Sequence, residues 1–216
     1  MRPSAIALLV EEMARGRRAV VELGCGVSTI VLARAARELG ARLVSIEHDR
    51  DWAAEIRALL RRERLGAADV IHVPIAPLDC GLAGALSAPG FRAPRRWYEL
   101  AALREACPGR VELLVVDGPP AADSPGVLIR APAVPALRDR LAGPCTVALD
   151  DVSRRAESRI AELWRGALGW ELELPPDTDL AVLRASNSPM DPPASGRAAR
   201  TGRPGAAGHR PTGRRR

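Results

Sequence analysis

Two rhythms alternate along the first 186 residues of this chain. Short apolar runs occupy Ala19–Val21, Leu43–Ile46, Asp69–Val73, Val111–Val116, Cys145–Leu149, Trp170–Leu174 and Asp179–Arg184. Runs of this length predict strands, and Val111–Val116, a run without alternation, predicts a central strand buried on both faces. Between them the apolar period lengthens to that of a helix. Ile6, Leu9, Val10 and Met13 share one face of Ser4–Arg15, which is expected to cover the sheet rather than act as a lid. Val27–Leu39 is a second helix. Trp52, Ile56, Leu59 and Leu60 mark a third, with Asp49 and Asp51 as its start residues. Leu100 with Leu103, then Val134 with Leu137 and Leu141, then Ile160, Leu163, Trp164 and Leu168 mark three more. Pro74–Pro94 reads as a loop with one helical turn, and Trp97 and Tyr98 as packing beneath the next strand rather than as walls of an acceptor pocket. Pro175-Pro176-Asp177 joins the last two strands in a hairpin-like way. The alternation predicts a doubly wound α/β fold: a mostly parallel sheet of seven strands, helices on both faces, and a ligand at the carboxyl ends of the strands.

Charge changes the picture only after it is divided along the chain. The formal net charge is +6, but from Asn187 onward there are seven arginines against one acid, leaving 25 arginines and 25 acids before it. The domain is therefore neutral, and its basic character belongs to a tail of Pro, Gly, Ala, Ser, Arg and Thr that is expected to be disordered. The tail has no aromatic residue for base stacking, so a nucleic-acid partner is not expected. Three parts follow: an N-terminal helix packed on the core (1–18), one ligand-binding domain (19–186) and the tail (187–216). Cys25, Cys80, Cys107 and Cys145 form no C-x-x-C pair, which points to a reducing compartment and no zinc site. Ala5–Val10 is too short for a membrane span and wrongly flanked for a signal peptide, so a cytoplasmic protein is expected.

The stretch VVELGCGVST at Val20–Thr29 carries the first candidate chemistry. A strand ends in Glu22, turns through Gly24-Cys25-Gly26 and opens into a helix whose first N–H groups suit an anionic group. Cys25 fits there as a small residue. A second strand ends in Glu47, placed to accept hydrogen bonds from a ribose diol. Together these make a nucleoside cradle. A dinucleotide fingerprint wants a third glycine where Thr29 stands, and Glu22 sits badly beside a pyrophosphate. Here the sequence resembles the class I AdoMet-dependent methyltransferases, whose first motif is an acid followed by G-x-G. The resemblance covers Ala19–Arg184 and implies seven strands ending in an antiparallel pair. It further implies that Glu22 faces the methionine amino group, that Gly24, Cys25 and Gly26 wrap the cofactor, and that Ser28 or Thr29 holds its carboxylate. Glu47 would take the ribose hydroxyls, with His48 near the adenine.

Three further acids end neighbouring central strands: Asp117 on one, Asp150 and Asp151 on the next. Such a cluster needs something positive among it, whether a divalent metal, a sulfonium or an arginine. The arrangement is similar to that of metal-dependent O-methyltransferases. That similarity implies Asp117, Asp150 and Asp151 as ligands of Mg2+, and Asp117 close to the transferred methyl. The catechol type has a lysine after the first Asp, whereas this chain contains none, which leaves Asp117, Asp123, His48, His72 or the metal alone to handle the proton. The bland reading of Asp150 and Asp151 is as start residues of the helix Arg154–Leu168. His72, within a strand, reads as a buried, hydrogen-bonded residue. Arg130 and Arg138 read either as binders of an anionic substrate or as a solvated helix face. The expected activity is O-methylation of a small-molecule acceptor, with homodimer formation left open. The rivals are an NAD(P)-dependent oxidoreductase, disfavoured by the missing Tyr-Lys pair, and an RNA methyltransferase or binding protein using the tail.

Overall fold

The computed structural model describes residues 1–84, 86, 88–120 and 126–185. In chain order its elements begin with α1 (Pro3–Ala14), β1 (Ala19–Leu23), α2 (Val27–Leu39), β2 (Arg42–Glu47), α3 (Arg50–Arg62) and β3 (Ala68–His72). Next come β4 (Ile75–Pro77), α4 (Cys80–Gly84), β5 (Arg96–Tyr98), α5 (Leu100–Ala106) and β6 (Val111–Val116). The chain continues through α6 (Ala133–Leu137), β7 (Leu141–Leu149), α7 (Arg155–Leu168), β8 (Glu171–Glu173) and β9 (Ala181–Arg184).

Seven strands form one sheet in the order β3-β2-β1-β6-β7-β9-β8. β1 pairs in parallel with β2 and β6, and β6 with β7, while β9 runs antiparallel between β7 and β8. The last strand thus returns into the sheet beside β7 instead of extending its edge. Strand alternation divides the core. Val20, Leu43, Leu113, Val115, Ala148 and Val182 pack with α1, α2 and α3. Val21, Leu23, Val44, Leu114, Val116 and Leu183 pack with α5, α6 and α7 on the other face. A shift of one residue in any central strand would exchange these sets, and each large side chain contributes roughly 1.5–3 kcal/mol of burial.

The structure departs from the sequence expectations at three places. Pro74–Pro94 holds more than a loop: β4 pairs antiparallel with β5, and this small second sheet seats Trp97 and Tyr98 fully inside the core, as packing residues. Leu141 is not a helix position. A 3-10 turn at Arg138–Arg140 ends the helix early, and Leu141 pairs with Val111 as the first residue of β7. Trp52 belongs to no buried face and is 44% exposed. One polar residue of α1 behaves as core: the Glu12 carboxylate accepts from Thr146 Oγ1 at 2.8 Å and Arg184 Nη2 at 2.9 Å, pinning the helix to β7 and β9.

Candidate active site

The strand order reverses between β1 and β6, where a doubly wound sheet opens a crevice at its carboxyl edge. A cavity of ≈ 430 Å³ lies there, lined by Gly24, Cys25, Glu47, His48, Trp52 and Asp117 among others. Its narrow floor depends on two glycines. Gly24 has φ +88, and a Cβ built on it would stand 2.9 Å from the Gly118 nitrogen; one built on Gly118 would stand 2.7 Å from the Gly24 Cα. The tips of β1 and β6 therefore touch backbone to backbone, which no other residue type permits.

Glu47 closes the wall between β1 and β2. Its Oε1 accepts from the N–H groups of His48 and Asp49 at 2.7 and 2.9 Å, and its Oε2 accepts from the Cys25 N–H at 3.1 Å. A carboxylate has about four acceptor sites, so Oε2 retains capacity toward the cavity. His48 stands beside it, Nδ1 2.6 Å from Glu47 Oε1. His72 is bound to the His48 carbonyl through Nε2 at 3.1 Å, in line with a structural role. Asp49 caps α3 by accepting from the Asp51 and Trp52 N–H groups, and the Trp52 indole donates to the Cys25 carbonyl at 2.8 Å. Trp52 so braces the glycine turn from outside. Burial pushes the Cys25 thiol well above its ordinary pKa, with the charges of Glu47 and Glu22 acting in the same direction.

Glu22 stands elsewhere than the resemblance implied. It is fully buried behind the glycine turn, where its Oε1 accepts from Ser28 Oγ at 2.6 Å and its Oε2 accepts from Thr29 Oγ1 at 2.6 Å and Ser45 Oγ at 2.5 Å. Glu22, Ser28 and Thr29 are brought together, but they spend their polar atoms on one another and do not line the cavity. This network ties the start of α2 to β1 and β2. Thr29 Oγ1 also accepts the Gly26 N–H at 2.9 Å, which fixes the turn. Burial pushes the Glu22 carboxyl above the usual range, against the pull of the three hydroxyls.

Asp117, Asp150 and Asp151 converge as expected, one oxygen from each lying within 4.8 Å of the others. Neither Asp150 nor Asp151 caps α7, whose N-cap is Arg154. Asp151 adopts a left-handed backbone, φ +65, which turns the chain sharply off β7. Burial raises the Asp117 carboxyl to about 7, Arg130 pulling it down and Asp150 pushing it up. The buried positive side chain within the cluster is Arg130, 3% exposed, neither a solvated helix residue nor a free anion binder, and the Met1 ammonium stands with it. Its Nη2 lies 3.2 Å from Asp117 Oδ1 and 3.1 Å from Asp151 Oδ2. The Met1 nitrogen lies 3.2 Å from Asp150 Oδ2. A divalent ion does not fit this donor set as it stands, because two of the three carboxylates already serve a buried guanidinium. Asp123, another candidate for the proton, lies outside the described residues, as does the tail.

Sequence reasoning missed Trp52 as a brace, Gly118 as the partner of Gly24, and Arg130 as a buried charge. The Asp117-Gly118-Pro119 turn was a usable signal for the second. Nothing in the spacing announces the third.

Comparison with known proteins places this geometry. Residues 21–152 match the family model for a methyltransferase domain. No curated protein matches the sequence. Among solved structures, an S-adenosylhomocysteine-bound methyltransferase from Podospora anserina superposes with TM-score 0.56 at 15% identity, covering 85% of this chain and 77% of that one. The O-methyltransferase from Bacillus cereus, in complex with S-adenosylhomocysteine, gives 0.56 at 15% identity over 85% and 82% of the two chains. A TDP-rhamnose 3'-O-methyltransferase of calicheamicin biosynthesis gives 0.55 at 14% identity over 84% and 77%. At these identities the structures testify to the fold, while the family match reaches the β1 and β2 motifs and the three acids, and it displaces the oxidoreductase reading. The chain belongs to the methyltransferase-domain family and is a class I AdoMet-dependent methyltransferase.

Proposed function

We propose that this enzyme methylates an oxygen atom of a small-molecule acceptor, with Asp117 receiving the proton. The observation that carries the reading is one cavity walled on one side by Glu47 and the glycine turn, and on the other by Asp117. A volume of ≈ 430 Å³ is within the range of small-molecule sites. When bound, AdoMet would supply an electrophilic methyl carbon, open to in-line attack by the acceptor oxygen, the C–O bond forming as the C–S bond breaks and its electron pair stays on the sulfur of S-adenosylhomocysteine.

The chain's own residues supply orientation and proton handling. Glu47 accepts the ribose hydroxyls through Oε2, with the charge-assisted bonds that fix the nucleoside. His48 borders the adenine end. The Gly24–Gly26 turn, held from behind by Glu22 and from outside by Trp52, sets the depth at which the methionine end rests. Alignment of nucleophile and methyl provides most of the acceleration in such a displacement. Asp117 carries a carboxyl raised to about 7, poised to take a proton near neutral pH. The B. cereus enzyme and the sugar O-methyltransferase of the same fold support oxygen as the acceptor atom.

The test is label transfer from radiolabelled AdoMet to panels of small alcohols and phenols against matched amines. Incorporation into the hydroxylated panel is expected, with Asp117→Asn lowering kcat by about 10²–10⁴-fold. Transfer confined to amines would overturn the oxygen assignment.

A further inference from the structure

Among the described residues Arg130 is the one arginine with a buried side chain. Its guanidinium is tied at both ends. Nη1 donates to the Asp150 carbonyl at 3.0 Å and Nη2 to the Asp117 carbonyl at 2.9 Å, so the fork laces the tips of β6 and β7 together. Nη2 reaches the Asp117 and Asp151 carboxylates as well. The segment bearing it cannot easily withdraw: Leu128, Ala131, Ala133 and Val134 lie in the core, and the Trp164 indole donates to the Ala131 carbonyl at 2.9 Å. Arg154 adds a second positive group 2.7 Å from Asp151 Oδ2. Three carboxylates thus face three positive groups, Arg130, Arg154 and the Met1 ammonium, before any ligand enters. An arginine carries its charge at every physiological pH and offers a planar fork of donors, which makes it a permanent counter-ion.

We propose that Arg130 is the resident cation of this active site, neutralising Asp117 and Asp151 and holding the Asp150 backbone beside them in place of a divalent metal, with the Met1 ammonium facing the Asp150 carboxylate. The inference rests on the oxygen-methylation reading and narrows its substrate class. A metal site grips two vicinal oxygens of the acceptor, whereas a site organised by Arg130 offers Asp117 to one hydroxyl. The acceptor is then a simple phenol or alcohol, with no need of a diol.

The test is Mn2+ titration of the full-length protein, followed by the paramagnetic resonance of free Mn2+, with S-adenosylhomocysteine binding measured in parallel. The wild-type chain is expected to take up no Mn2+ at millimolar concentration, and EDTA is expected to leave S-adenosylhomocysteine affinity unchanged. Arg130→Gln, which leaves the Asp117 and Asp151 carboxylates without their guanidinium, is expected to gain a Mn2+ site, an effect that a merely structural role would not produce. Uptake of one Mn2+ per wild-type chain, abolished by Asp150→Asn, would overturn the proposal, as would a folded Arg130→Gln that still binds none. Should Arg130→Gln fail to fold, the wild-type and Asp150→Asn titrations decide alone. Loss of S-adenosylhomocysteine binding by the wild type would tell against the cofactor reading and leave Arg130 as described.

Discussion

Individual side chains in this site differ in what pH does to them. Glu22 and Asp117 both have carboxyls raised by burial, Asp117 to about 7. A carboxyl that holds its proton more tightly in the folded state stabilises the fold below its unfolded pKa, and that contribution is lost as pH rises through the folded value. The unfolding temperature is therefore expected to fall between about pH 4 and about pH 7, and Glu22→Gln to flatten the decline. Differential scanning calorimetry across that range checks it; a rising temperature would mean these carboxyls are ionised in the fold. The thiols give a second residue-level prediction. Burial raises Cys107 to about 11 and Cys145 to about 12, while Cys80 is exposed. Thiolate, not thiol, is the nucleophile, so an aromatic disulfide reagent near neutral pH is expected to titrate Cys80 rapidly and the two buried thiols only on unfolding. At Gly24 an added methyl meets the Gly118 backbone and requires an unfavourable positive φ. Gly24→Ala is expected to cost about 1–3 kcal/mol in conformation alone, before the clash. Chemical denaturation measures that loss.

At the level of elements, α1 shows what a periodic pattern hides. Its apolar face was legible from Ile6, Leu9, Val10 and Met13, and Leu9 and Met13 are indeed buried, but so is Glu12, which the helical pattern assigns to the polar side. Burial works against the Glu12 charge, yet Arg184, Thr146 and Arg15 outweigh it and hold the carboxyl below the usual range. Its partner Arg184 is 172 positions away in the chain, a separation that no local rhythm encodes. Glu12→Ala is expected to destabilise by about 2–3 kcal/mol, since it removes three hydrogen bonds to a charged group, from Thr146, Arg184 and Arg15, and leaves the Thr146 hydroxyl buried. Thermal unfolding of the variant would show it. The same reason explains the other misses. The central strands were readable because apolar runs and switch-point glycines are local signals. The β4–β5 pair spans a Pro-rich loop, Trp52 answers to a carbonyl on another element, and Leu141 continues a helical count while serving a strand. The glycine turn and the strand-end acids were readable as positions. Which way Glu22 faced was not, because Ser45, one of its three donors, arrives from β2.

At the scale of the molecule, charge and fold separate cleanly in the sequence. Residues 1–186 are balanced in arginines and acids, and the seven arginines beyond them lie outside the described residues. Among the described residues no helix is long and apolar enough to cross a membrane. Among the described residues the cavity is lined by the ends of β1, β2 and β6 with the turns that follow them, and by the start of α3. Deleting 187–216 is accordingly expected to leave S-adenosylhomocysteine affinity within about twofold, equivalent to less than about 0.5 kcal/mol. The account as a whole depends on Glu47 facing a nucleoside in that cavity. Isothermal titration of the full chain with S-adenosylhomocysteine tests it most directly. One molecule is expected to bind per chain, and Glu47→Ala to weaken binding by at least about tenfold, as the loss of a charge-assisted hydrogen bond requires. Saturable binding that Glu47→Ala leaves unchanged, or no binding at all, would contradict it.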